Sequence, residues 1–149
     1  MTPVEQLLIE RELNEVVCRY AQLCDEREWA LMDQIFTPHA TANYGGWALK
    51  DPAAILGMLR HYLGGCGPTQ HLLGNLTVKI DAQGVSSQTS IRAAHRGLGH
   101  LQHETYECMG YYKDQWQHTP AGWRIAHRAM VVSLEFGSRK VLGPQIESA

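Results

Sequence analysis

The sequence predicts an α+β fold, with helices in the first half and a curled antiparallel sheet in the second. Three observations carry this. Apolar residues recur at helical spacing before Gly64 and Gly65, the pattern changes to period two after Pro68, and turn-forming residues separate the strand candidates. At 149 residues the chain has the usual size of one domain with one core, so residues 1–149 are read as a single domain.

From Val4 to about Cys24, the residues Leu8, Ile9, Leu13, Val16, Val17, Tyr20, Ala21 and Cys24 fall on one face of a helix. A second, shorter helix is predicted over Trp29 to Phe36. It closes at Thr37 and Pro38, where the chain should turn because a residue before proline resists helical geometry. "ATANYGGWALKD" alternates around Gly45 and Gly46 as a hairpin would. Asp51 can cap a third helix with Pro52 at its first position, running through Ile55, Leu56, Leu59 and Tyr62 to the glycine pair. Four strands should follow: His71 to Ile80, Ser87 to Arg96, Glu104 to Gln117, and Trp123 to Leu134. Asp81 to Gly84 and Thr119 to Gly122 supply tight turns, and Gly97 to His103 a longer loop.

Composition narrows the function. With 13 basic and 15 acidic residues, no positive surface is available for nucleic acid or anionic lipid. No apolar run has the length of a membrane span, and the amino terminus, with Glu5, Glu10 and Glu12, lacks the basic flank of a secretory signal. A cytoplasmic protein is expected. Cys18, Cys24, Cys66 and Cys108 contain no CxxC pair and read as reduced thiols. The chain contains neither a P-loop nor a dinucleotide glycine motif. Eight histidines stand out. His100 and His103 lie in a loop with no third ligand in place, so no metal site is predicted; His39, His61 and His118 read as surface residues.

Alternation assigns faces. His71, Leu73 and Asn75 share one side of the first strand, and Ile91, Ala93 and His95 the apolar side of the second, so two histidines point inward on neighbouring strands. Cys108, Gly110 and Tyr112 form one set on the third strand. On the fourth, Ile125, His127 and Ala129 alternate with Arg128, Met130 and Val132. Asp25 ends the long helix near its apolar stripe, where the helix's partial negative end disfavours an anion and calls for a donor. An imidazole suits, since a carboxylate can hold one ring N–H and leave the other nitrogen as a base, and His71 is positioned to be that ring. Each residue also has a plainer reading. Asp25 with Glu28 has capping-box spacing, His71 could be a satisfied core residue, Tyr20 and Tyr44 could be ordinary core aromatics, and Arg128 could pair with a surface carboxylate.

The stretches "YAQLCDEREWALMDQIFTPHATANY", "TQHLLGN", "AAHR" and "GYYKDQWQHTPAGWRIAHR" resemble the SnoaL-like branch of the nuclear-transport-factor-2-like superfamily over nearly the whole chain. The resemblance implies a cone in which a curved sheet wraps around the long helix, with two further helices, and encloses a deep pocket. It is nearest in pattern to scytalone dehydratase, bile-acid dehydratase and hexachlorocyclohexane dehydrochlorinase, which implies an Asp–His dyad of Asp25 and His71 with Tyr20, Tyr44 and His95 as further catalytic groups. Arg128 matches a pocket arginine, and Tyr112, Met130, Cys24 and Leu73 are expected to contact substrate. Cys24 stands where the scytalone enzyme has a tyrosine, so that hydroxyl must come from elsewhere.

The activity so implied is a cofactor-free lyase of dehydratase type, acting on a cyclic or polycyclic apolar small molecule. His71 would abstract a proton, and Tyr44, Tyr20 or His95 would stabilise the oxyanion. An isomerase or cyclase of the ketosteroid-isomerase kind uses the same base, and the family also holds non-catalytic binders and accessory subunits. A homo-oligomer, a trimer rather than a dimer, is expected from relatives with this dyad and from Tyr111, Trp116 and Ile125 read on the outer sheet face.

Overall fold

The computed structural model describes residues 1–143; the last positions of the expected domain, 144–149, lie outside the described residues. The long helix α1 (Pro3–Glu26) opens with a capping box, in which the Glu5 N–H donates to the Thr2 hydroxyl and the Thr2 N–H to the Glu5 carboxylate. It buries Leu13, Val16, Val17, Tyr20, Ala21 and Cys24 of the predicted stripe and Leu23 beside them, whereas Leu8 is exposed. At its end the Glu28 N–H reaches the Leu23 carbonyl (2.9 Å) and the Arg27 N–H the Cys24 carbonyl (3.2 Å). This is a Schellman ending, with Arg27 at φ +60° in the left-handed position glycine usually takes.

The next segment departs from expectation. Only a 3-10 helix forms (Trp29–Gln34), and Phe36 already begins strand β1 (Phe36–Tyr44). Pro38 does not turn the chain. It lies where the register slips between Phe36 and Thr41, a place that requires no ladder N–H. Gly45 and Gly46, at φ +62° and +94°, then make the expected hairpin to β2 (Trp47–Leu49), with the Asn43 side chain accepting from the Gly46 N–H. Helix α2 (Pro52–Leu63) follows, capped by Asp51 on the Ala54 N–H at 2.7 Å.

The four long strands are β3 (Thr69–Asp81), β4 (Gly84–Arg96), β5 (Thr105–Thr119) and β6 (Gly122–Gly137). The sheet order is β2-β1-β6-β5-β4-β3. Every pairing is antiparallel except β1 with β6, which is parallel because β1 meets a strand reached only after the whole meander. The sheet stays open and curls over α1, which packs against β3 and β6. Among the described residues no helix is long and apolar enough to cross a membrane.

Two bulges alter the predicted faces. Asn75, at φ +52°, sits in a register slip between Gly74 and Thr77. The inward face therefore runs His71, Leu73, Leu76 and Val78, and Asn75 is exposed. Across β5 and β6, Gln115 pairs with His127 and Trp116 with Ile125, leaving Ala126 as the extra residue. Ile125 and Arg128 thus both reach the core, while His127 bonds the Thr41 hydroxyl at 2.7 Å. Trp116 and Ile125 are core residues, 7% and 0% exposed, rather than parts of the outer face. The apolar residues exposed on that face are Leu72, Val131, Leu134 and Phe136.

Gly110 sits at a further slip on β5, where a Cβ would overlap the Val131 carbonyl. Gly110→Ala should therefore cost about 1–3 kcal/mol or more, read as a lower urea midpoint with an unchanged slope.

Candidate active site

The end of α1 and the start of β3 meet at Asp25. Its Oδ1 accepts from the Thr69 hydroxyl (2.9 Å) and from His71 Nδ1 (2.7 Å), and its Oδ2 accepts the His71 backbone N–H (2.9 Å). These donors answer the unfavourable field at the helix's negative end. Asp25 lies within α1 rather than at the cap of the next helix, and its carboxylate is bound to β3. Burial acts to raise the Asp25 pKa, but the His71 and Thr69 hydrogen bonds and the attraction of His71 outweigh it and hold the carboxyl below its usual range. Asp25 is thus ionised at neutral pH and acceptor-only. The bridging proton belongs to His71 Nδ1, so in the neutral ring the lone pair lies on Nε2.

His95, on β4, has its ring centroid 5.9 Å from that of His71. Its Nδ1 lies 3.0 Å from the Tyr106 carbonyl, which can only accept, so Nδ1 carries the hydrogen and Nε2 is again a bare acceptor. Burial lowers the His95 pKa, the bond to Tyr106 offsetting only part of this, so the ring is neutral at pH 7. Both imidazoles line a cavity of about 360 Å³ with Tyr20, Tyr44, Tyr112 and Met130. The remaining wall is largely apolar, from Met58, Leu63, Ala93, Cys108 and Val132, and Trp47, Tyr62 and Arg139 also border the space.

The Tyr20 and Tyr44 hydroxyls are 2.8 Å apart. One must donate to the other, so the pair has one hydrogen left to give. Burial raises the pKa of both, which keeps them protonated. Behind them Arg128 is fully buried, bonded to Asp114 through Nε (2.7 Å) and Nη2 (2.8 Å), with its guanidinium carbon 4.3 Å from the Tyr20 ring centre and 3.9 Å from that of Tyr112. Its Nη1 is buried and has no hydrogen-bond partner among the described residues.

The structure therefore joins Asp25 to His71 and brings His71, His95, Tyr20, Tyr44, Tyr112 and Met130 to one cavity. Asp25 stands behind His71 rather than on the wall. Arg128, expected as a pocket residue, shares the face of Met130 and Val132 but is sealed beneath the tyrosines, where Asp114 holds it. Cys24 is fully buried, its thiol pushed up to about 12 by loss of solvent, and neither it nor Leu73 reaches the cavity wall. Sequence reasoning missed Asp114, although period two places it on the same face as Tyr112 and Trp116. It also missed Thr69 and Arg27, for which the sequence carried no signal.

Residues 5–129 match the model of the SnoaL-like domain. The chain belongs to the SnoaL-like family. An uncharacterized Mycobacterium tuberculosis protein is 30% identical over 131 residues, covering 86% of this chain and 88% of that one. Among solved structures, a Novosphingobium aromaticivorans protein provisionally described as a scytalone dehydratase superposes with a TM-score of 0.84 at 14% identity, covering 99% of each chain. A type 3 hexachlorocyclohexane dehydrochlorinase from Novosphingobium barchaimii gives 0.78 at 11%, covering 92% of this chain and 94% of the other. At such identities these two likenesses speak for the SnoaL-like fold alone.

Two stability predictions follow from these charged groups. Arg128→Met strands the Asp114 carboxylate in the core and should cost about 3–5 kcal/mol in urea unfolding, most of it recovered when Asp114→Leu is added. Asp25 has a folded pKa below its ordinary value. Its contribution is therefore present above the unfolded pKa and lost as pH falls through the folded one. The stability profile of Asp25→Asn should accordingly be flatter than wild type below about pH 4.

Proposed function

We propose that this protein is a cofactor-free lyase of dehydratase type acting on a small cyclic, largely apolar molecule. The observation that carries this reading is the 2.7 Å contact of Asp25 with His71 Nδ1, which leaves Nε2 of the neutral ring as a base on the wall of a largely apolar cavity. His71 Nε2 takes a proton from a carbon beside a carbonyl, and the C–H electron pair moves to make an enolate. The enolate then forms the C=C bond as the C–O bond to the β-hydroxyl breaks, and the proton on Nε2 passes to that oxygen to give water. Asp25 fixes the tautomer and stabilises the imidazolium formed in between.

The residue set divides by polarity. The hydrogen left over on the Tyr20–Tyr44 pair is the donor for the enolate oxygen, a contact contributing about 3–4 kcal/mol at the transition state where it is preorganised. His95, neutral and with only an acceptor free, cannot fill that role. It suits the leaving hydroxyl, whose hydrogen it can accept while the oxygen turns a lone pair toward His71. The cavity volume of about 360 Å³ is near the lower end for small-molecule sites and favours one or two rings over a larger polycycle.

The test is incubation with a panel of cyclic β-hydroxyketones and enones in deuterated water, followed by mass spectrometry. Loss of water with any substrate supports elimination. Deuterium gain without loss of water points instead to an isomerase, and binding without either to a non-catalytic pocket protein. On an active substrate His71→Ala should lower kcat by about 10²–10⁴-fold and Tyr44→Phe by about 10²-fold or more. Full activity in both His71→Ala and Asp25→Asn would remove the dyad from the chemistry.

A further inference from the structure

We propose that Arg27 is a positioning residue for the Asp25–His71 pair, acting through the hydroxyl of Thr69; its effect on turnover rests on the proton-abstraction reading above. Arg27 occupies a left-handed backbone position that suits glycine, yet its guanidinium is heavily used. Nη1 donates to the Thr69 hydroxyl oxygen (2.8 Å) and to the Cys24 and Asp25 carbonyls (2.7 and 3.2 Å). Nε donates to the Leu63 carbonyl (3.1 Å) and Nη2 to the Gly67 carbonyl (2.9 Å). One side chain thereby fastens the end of α1 to the end of α2 and to the segment that enters β3.

The direction of these bonds matters. A guanidinium only donates, so the Thr69 oxygen is an acceptor toward Arg27 and its own hydrogen is left for Asp25 Oδ1 at 2.9 Å. That is the same carboxylate oxygen that holds His71 Nδ1. Without Arg27 the hydroxyl can rotate to give its hydrogen to a carbonyl, and Oδ1 loses one of the two donors that keep it charged and aimed at the ring. Lysine would not substitute, since one ammonium cannot span acceptors on α1, α2 and the β3 entry together.

The experiment uses 15N-histidine-labelled full-length protein, in which ring-nitrogen shifts report the His71 tautomer, together with kcat/KM against pH on any substrate found active. Arg27→Gly removes the guanidinium while keeping the left-handed helix end, Thr69→Val removes the hydroxyl with little change of shape, and Thr69→Ser keeps it. Wild type and Thr69→Ser should show the Nδ1–H form. Arg27→Gly and Thr69→Val should each admit the Nε2–H form and lower kcat/KM by about ten- to a hundredfold. Their acid limbs should move to higher pH, because the lost donor had lowered the Asp25 pKa. The double variant should fall within about twofold of Thr69→Val alone, since both changes remove the same contact to Asp25. An Nδ1–H ring and an unmoved acid limb in Arg27→Gly, or losses that multiply in the double variant, overturn the role of Arg27. An Nε2–H ring already in wild type overturns the dyad itself, a failure distinguishable from the first.

Discussion

A helix ends in unpaired carbonyls, and this one places a carboxylate among them. The arrangement holds because β3 arrives with donors on a hydroxyl, a backbone N–H and a ring N–H, all on the two Asp25 oxygens. The rest of the site depends on this meeting of α1 and β3. It fixes how β3 enters beside the helix and which nitrogen of His71 is held by the carboxylate. The Schellman ending contributes as well, because the left-handed residue that stops the helix at Arg27 also sends a guanidinium back across the junction.

Most of the frame was legible in the sequence, because two periodicities and a few turn residues encode it. α1, α2 with its Asp51–Pro52 start, the Gly45–Gly46 hairpin and the four long strands follow from those signals alone. Asp25 and His71 were legible for a different reason: each is a costly residue in its place, one at a negative helix end and one opening a half-buried strand. The bulges were not legible. A single extra residue at Asn75 or Ala126 leaves no compositional mark, yet it exchanges the two faces of everything beyond it. That exchange is why Ile125 read as an outer residue; Trp116 is in phase with buried Tyr112 and Asp114 on an unbroken stretch of β5, and Arg128 keeps the face of Met130 and Val132 but lies beneath the tyrosines with Asp114. Pro38 was ambiguous in kind, since proline marks a helix stop and is also tolerated at a strand irregularity.

The buried Arg128–Asp114 pair bears on the proposed chemistry through its cost. Ion pairs removed from water are often no more stabilising than apolar side chains of the same volume, so burial alone gives little reason for one here. Its location supplies a better reason. The guanidinium lies against the Tyr20 and Tyr112 rings and, through its charge, opposes the rise that burial imposes on the Tyr44 pKa. A hydrogen bond from the tyrosine pair to an enolate oxygen strengthens as the hydroxyl becomes more acidic, and a fixed cation below the rings works in that direction without entering the cavity. Asp114 holds the cation in place through two bonds and keeps it from turning toward the ligand. The cavity is thus divided into an acceptor side of two imidazoles and a donor side of paired hydroxyls. On the proposed reaction a substrate would set its acidic carbon and leaving hydroxyl against the first and its carbonyl against the second, so orientation would follow from hydrogen-bond sign before shape is considered.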